Sequence, residues 1–149
     1  MANGLILPAF EGTEHRQGTI LNLSVSERGN DRIGFAGRQN MNRKSTVDRR
    51  KLSEIIRRIV KVAAPEKIIL FGSAVRGEMG PNSDVDLLVV KGGKYNRSRL
   101  AGDIYMNLHG VGEAVDVILV TPEEVERYRN THCLIIKPAL RDGKEVYRV

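Results

Sequence analysis

Three acidic side chains stand where a strand-forming sequence seldom has them. Asp84 and Asp86 sit at the mouth of an apolar run, Leu87-Leu88-Val89-Val90, and Asp116 lies inside a second β-branched run, Ala114–Val120. Aspartate is disfavoured in strands. Side chains alternate along a strand, so Asp84 and Asp86 point to the same face. Two carboxylates about 4 Å apart repel by roughly 4 kcal/mol at an effective dielectric of ~20. A raised pKa or a cation must offset that cost. Hard oxygen ligands on a rigid strand suit Mg²⁺, with nucleotide phosphate oxygens completing its octahedron. Alone, Asp116 fits an ion pair with an arginine at a sheet edge equally well. Beside Asp84 and Asp86 it reads as the third carboxylate of a metal-dependent transferase.

Upstream, the apolar run Ile68-Ile69-Leu70-Phe71 ends on Gly72-Ser73, ten residues before Asp84. Gly72 lets the backbone approach a ligand closely. Ser73 adds a hydroxyl and is expected to cap a short helix, whose first N–H groups favour phosphate. A phosphate cradle beside paired carboxylates implies phosphoryl or nucleotidyl transfer. The plainer reading is a strand, a turn and a strand with two solvated aspartates. It suits a lone Asp-x-Asp better than the full string from Ile68 to Val90.

The elements that must position these residues follow from periodicity. Leu52, Ile55, Ile56, Ile59 and Val62 recur at helical spacing, which predicts a helix over about Asp48–Ala64, capped by Ser45 or Asp48 and stopped by Pro65. Its other side carries Arg49, Arg50, Lys51, Arg57, Arg58 and Lys61, either a solvated face or a partner surface. Strands are expected at about Glu66–Phe71 and Val85–Lys91, the second buried on both faces beyond its acids. A helix over about Ser98–Leu108 ends near Gly110 and Gly112, with His109 as a helix-end residue. A third strand spans about Ala114–Val120. Thr121-Pro122-Glu123-Glu124 then opens a helix to about Arg129, with a capping box between Thr121 and Glu124. A short helix over about His132–Arg141, a turn at Asp142-Gly143 and a last strand over about Glu145–Val149 complete the chain.

The chain has 149 residues, enough for one domain with a modest core. No run reaches 18 apolar residues, so no membrane span is expected, and no secretory leader pattern opens the chain. Cys133 is the single cysteine, which fits a reducing cytoplasm and a small apolar role. The net charge of +6 suits an anionic partner: a triphosphate, nucleic acid or an acidic protein surface. Aromatic residues are scarce, so no stacking platform for single strands is evident. Residues 1–40 hold six of the fifteen glycines and balanced charge, and only Thr19–Val25 alternates like a strand. Residues 1–44 therefore read as a mobile extension and residues 45–149 as the folded domain, with Met41 as an ordinary start.

Phe71-Gly72-Ser73-Ala74-Val75-Arg76-Gly77-Glu78, followed by Ser83-Asp84-Val85-Asp86-Leu87-Leu88-Val89, resembles the minimal nucleotidyltransferases of the DNA polymerase β-like superfamily. Val75 departs from the alanine usual there and keeps its apolar character. The resemblance covers about residues 45–149, including the closing Asp142–Tyr147 stretch. It implies an α/β fold, a small three- to four-stranded mixed sheet backed by helices, and MgATP as donor, with two Mg²⁺ ions. It assigns Gly72 and Ser73 to the triphosphate, Asp84 and Asp86 to the metal, and Asp116 to completing the site and deprotonating the incoming hydroxyl. Arg76 and Ser83 join the nucleotide contacts. Minimal members resemble antitoxins that transfer AMP to a tyrosine of a partner HEPN-type ribonuclease toxin, which implies a hetero-oligomer in the cytoplasm. No second domain is legible to present an acceptor, so another molecule is expected to bring it. Two other readings stand beside this one: a non-catalytic antitoxin that occludes its partner, and a transferase acting on RNA or a small molecule. The basic helix permits RNA. Arg127 and His132 have the Arg-x4-His spacing of HEPN ribonucleases, but the long helical bundle is missing and the spacing is read as chance. Intact-mass analysis of the protein made from its native locus is expected to give a chain beginning at Met41; a mature chain beginning at residue 1 or 2 would sink that assignment.

Overall fold

The computed structural model describes residues 18–21, 47–80, 82–131 and 135–149. Helix α1 (Arg49–Ala63) opens on Asp48, whose carboxylate accepts from the backbone N–H of Arg50 and Lys51. That leaves Asp48, of the two caps the sequence offered, as the one seen. Ahead of Pro65, Ala64 cannot settle in the right-handed helical region and closes the helix at φ 42°. Strands β2 (Lys67–Phe71) and β3 (Val85–Val90) pair antiparallel, and the four-residue helix α2 (Ser73–Arg76) lies between them. Helix α3 (Arg97–Leu108) starts at Asn96, whose side chain accepts from Arg99 N. Strand β4 (Val115–Val120) then runs parallel to β3.

Helix α4 (Pro122–Tyr128) shows the expected capping box: Thr121 accepts from Glu124 N, and the Glu124 carboxylate accepts from Thr121 N. Helix α5 (Ile136–Asp142) begins later than the sequence pattern suggests and runs through Asp142, so Gly143 is its C-cap rather than half of a free turn. Residues 132–134, with Cys133 and His132, lie outside the described set. Strand β5 (Lys144–Arg148) pairs with β2, and a two-residue strand β1 (Thr19–Ile20) pairs with β5. The sheet is mixed, in the order β1-β5-β2-β3-β4. It thus holds the four strands read from residues 66–149 plus β1, drawn from the segment whose alternation was noted. The rest of residues 1–44 lies outside the described set.

Three layers result. One face of the sheet carries Ile68, Leu70, Leu87, Val89, Val117 and Leu119 against α1 and α3. The other carries Ile69, Leu88, Val90 and Val120 against α4 and α5. Alternation along β3 feeds both cores, which is why its run is continuously apolar. Ile55, Ile56 and Ile59 of α1 are fully buried, as the helical stripe requires. Among the described residues no helix is long and apolar enough to cross a membrane.

The basic side of α1 is not one thing. Arg58 donates through Nη1 to the carbonyls of Asn107 and His109, both at 3.0 Å, and through Nε to Glu54. His109 is the C-cap residue of α3, so Arg58 satisfies carbonyls that the helix end leaves open. Lys51 donates to the Gly112 carbonyl and pairs with Glu113 at 2.6 Å. These two bases tie α1 to the segment that leads into β4. Among the described residues Arg57 makes only an exposed pair with Glu54, one turn away. Replacing Arg58 by Ala should therefore cost about 1.5–3 kcal/mol in urea unfolding, the range for hydrogen bonds to charged groups. Arg57→Ala should leave the unfolding midpoint unchanged. Equal losses from the two variants would contradict this division of the helix face.

Candidate active site

The candidate site lies at one end of the parallel pair β3–β4. Register sets it: Asp86 stands directly opposite Asp116 on β4 and opposite Phe71 on β2. Asp86, Leu88 and Val90 alternate onto one face, and Leu88 and Val90 belong to the core under α4 and α5. The acids therefore continue a buried stripe past the point where the helices cover it. Asp84, just before β3, and Asp116 are exposed, while Asp86 is half-buried. Burial raises the Asp86 pKa above the ordinary carboxylate value, and the nearby charges of Asp116 and Asp84 raise it further, with Arg76 opposing. The carboxylate repulsion expected from the Asp84–Asp86 spacing thus adds to the cost of burial at Asp86.

Gly72 is built into the same corner. It ends β2 at φ 71°, ψ −147° and serves as the N-cap of α2. A Cβ there would fall inside van der Waals contact of Asp86 Oδ2. So glycine is required twice, for the backbone angle and for the carboxylate packed against it. Ser73 is the first helical residue of α2, not its cap. The N-cap is Gly72, with no side-chain cap bond, because the chain turns into the helix one residue earlier than a serine cap would need. A small cavity of about 110 Å³ adjoins this corner, lined by Phe71, Gly72, Val75, Arg76, Pro138 and Asp142.

The remaining assigned residues are placed less tightly. Arg76 points its guanidinium at Glu78, 2.6 Å away, and both are exposed. Its influence on Asp86 is through space. Ser83 closes the turn before Asp84: its hydroxyl accepts from Gly80 N at 2.8 Å, and its own N–H donates to the Gly80 carbonyl. Arg127 sits in the last turn of α4. The sequence reading missed Tyr105. Its hydroxyl donates to Asp116 Oδ1 at 3.2 Å and accepts from Val117 N at 3.1 Å. The only signal was position: Tyr105 follows the buried Ile104, so it flanks the apolar stripe of α3.

The donor set fits a hard divalent cation. Carboxylate oxygens are the ligands such ions prefer, and burial, with the neighbouring Asp116 and Asp84 carboxylates, raises the Asp86 pKa at that corner. Among the described residues, no three acidic, histidine or cysteine side chains converge as a ready-made cage. A cation there would draw on Asp86 and its neighbours and on phosphate oxygens of the ligand, as Mg²⁺ sites commonly do. The pKa shift also has a consequence for stability. A carboxyl whose folded-state pKa is raised holds its proton more tightly when folded. Its favourable contribution is present at low pH and is lost as pH rises through the raised value. Asp86→Asn should therefore raise the melting temperature of the metal-free protein at neutral pH, with the gain shrinking on acidification. The same variant should lose most of the stabilisation that wild type gains from MgATP. A metal-free Asp86→Asn protein that melts below wild type at neutral pH would overturn this account.

The sequence profile of the nucleotidyltransferase domain matches residues 49–143, more than half of the chain. No curated protein matches the chain. Among solved structures, a toxin–antitoxin crystallised with AMP-PNP is 19% identical with a TM-score of 0.48, covering 65% of this chain and 73% of that one. A mutant of the toxin–antitoxin MntA-HpeT is 16% identical with a TM-score of 0.48, covering 69% and 75%. A protein from Sulfolobus solfataricus described as a nucleotidyltransferase is 22% identical with a TM-score of 0.39, covering 66% and 87%. On the profile match, the chain belongs to the nucleotidyltransferase domain family and is an enzyme of the nucleotidyl-transferring class.

Proposed function

We propose that the protein is a Mg²⁺-dependent adenylyltransferase that moves AMP from ATP to a hydroxyl of a partner protein, a tyrosine of a HEPN-type ribonuclease toxin, and so acts as its antitoxin. One observation carries the chemistry: the parallel register that sets Asp86 opposite Asp116, with Gly72 packed on the Asp86 carboxylate. Residues 45–149 form the transferase domain in this reading, and residues 1–44 an extension to it.

Each residue has a task. Gly72 and Ser73 hold the triphosphate at the start of α2, where the bare Cα lets backbone come close. Asp84, Asp86 and Asp116 would hold the divalent cation, two ions in this reading, which would supply activation of the attacking hydroxyl and charge stabilisation for the departing pyrophosphate. The acceptor oxygen bonds to the α-phosphorus, the bond from that phosphorus to the bridging oxygen breaks, and pyrophosphate leaves. The hydroxyl proton passes to the Asp116 carboxylate. In this reading Arg76 and Ser83 add contacts to the nucleotide, Arg76 once it leaves Glu78.

The partner assignment rests on the motif resemblance and on access. Asp84 and Asp116 are exposed, so a hydroxyl carried on a large molecule can reach them. The positive charge of the chain suits an acidic or phosphate-rich partner, RNA included. The reading that the protein merely occludes its partner leaves the acid cluster unexplained, since simple occlusion has no use for an electrostatically costly corner.

The test is transfer itself. With purified partner and MgATP, wild type should add adenylate groups, seen as mass steps on the partner. Asp84→Asn/Asp86→Asn should slow transfer by at least about 10²–10³-fold, the usual loss when a preorganised charge-stabilising group is removed. A double variant that modifies and neutralises the partner as well as wild type does would leave occlusion as the function.

A further inference from the structure

We infer that Tyr105 is the positioning residue for Asp116: anchored to the backbone at the sheet edge, its hydroxyl holds that carboxylate in the orientation that transfer requires. The inference rests on the role given to Asp116 above.

The geometry is specific. Strand β4 is the outermost strand on its side of the sheet, so every second N–H of β4 faces away from β3. Val117 N–H is one of these, and it donates to the Tyr105 hydroxyl at 3.1 Å. A phenol has one proton to give and lone pairs to receive. With an acceptor position committed to Val117 N–H, the proton is directed at Asp116 Oδ1, 3.2 Å away. The two bonds thus form a directed chain from backbone to hydroxyl to carboxylate. Asp116 itself is exposed and short, and among the described residues no other side-chain hydrogen bond restrains its rotamer. Tyr105 comes from α3, on the opposite face of the sheet from the Asp86 stripe, and reaches around the edge.

Edge protection alone would account for the bond from Val117, since a long polar side chain can cover an open strand edge. It does not account for the second bond. Nor does it explain a tyrosine that is 44% exposed yet committed at its hydroxyl to two groups. Residues that orient a ligand-bearing side chain in this way typically change metal affinity or activity by about 10- to 100-fold when removed.

Tyr105→Phe keeps the ring and deletes only the hydroxyl. In the full chain it should melt close to wild type and keep the same KM for ATP. Its affinity for Mn²⁺ in the presence of a non-hydrolysable ATP analogue, read from the free-ion paramagnetic signal, should fall by about 10-fold, and kcat with it. Asp116→Asn, run in parallel, separates the two levels of inference. If Asp116→Asn loses Mn²⁺ affinity and activity while Tyr105→Phe matches wild type in both, Asp116 keeps its role and Tyr105 has none. If Asp116→Asn itself binds Mn²⁺ and transfers normally, the assignment of Asp116 fails and takes this one with it. A Tyr105→Phe protein whose melting temperature drops while Mn²⁺ affinity and kcat hold has lost edge protection only, which also overturns the inference.

Discussion

The parallel register between β3 and β4 is the constraint on which the site depends. It places Asp86 level with Asp116 and keeps both at the same end of the sheet. A shift of one residue would send the Asp116 side chain to the other face, because strand side chains alternate. The register is hard to slip for the same reason. Leu87, Leu88, Val89 and Val90 are all buried, and each belongs to one of two cores on opposite faces. A slip would exchange the two faces of the pairing at once. The acids therefore ride on a strand buried on both faces, where a like-charge cluster can be held against its own repulsion.

Among the described residues no strand pairs with the outer side of β4, and other contacts hold it. Lys51 and Arg58 of α1 reach the Asn107–Glu113 segment that feeds β4. Tyr105 takes up an N–H on the open edge and the Asp116 carboxylate together. A helix that looks like a solvated cationic face is thus partly a brace for the strand carrying an acid. The basic charge of this chain is not simply available to a partner. Some of it is spent on the interior geometry of the segment before β4.

Much of this was legible beforehand, and the reasons are local. The α1 stripe, the β3 run and the Thr121–Glu124 capping box are patterns within a few residues, and the structure reproduces each within a residue or two. The string from Gly72 to Asp86 comes together at one corner because β2 and β3 pair across the short link between them. The failures are of another kind. Ser73 reads as a cap because serine usually caps, but Gly72 turns the chain first. The expected start of α5 at about His132 falls on residues outside the described set, and the described helix runs from Ile136 through Asp142, one residue past the expected end. Tyr105 had only its position beside the α3 stripe as a signal, since its partners are eleven and twelve residues away and meet it only after α3 folds back beside β4. Arg58 reads as one more base until its carbonyl partners, about fifty residues on, are known.

Burial divides the labour among the acids. Asp86 is the least exposed of the three and carries the desolvation cost, wedged between a glycine with no side chain and a neighbouring carboxylate. Asp84 and Asp116 flank it in the open. A buried member fixes where charge is concentrated, and exposed members can meet a ligand arriving from solvent. In the proposed reading, a cation and phosphate bound there would relieve the repulsion that this arrangement holds in the folded chain. The exposed pair also leaves the acceptor's side of the site unenclosed among the described residues. A small acceptor would need walls that these elements do not supply, whereas a macromolecule brings its own surface and can close the site by docking on it.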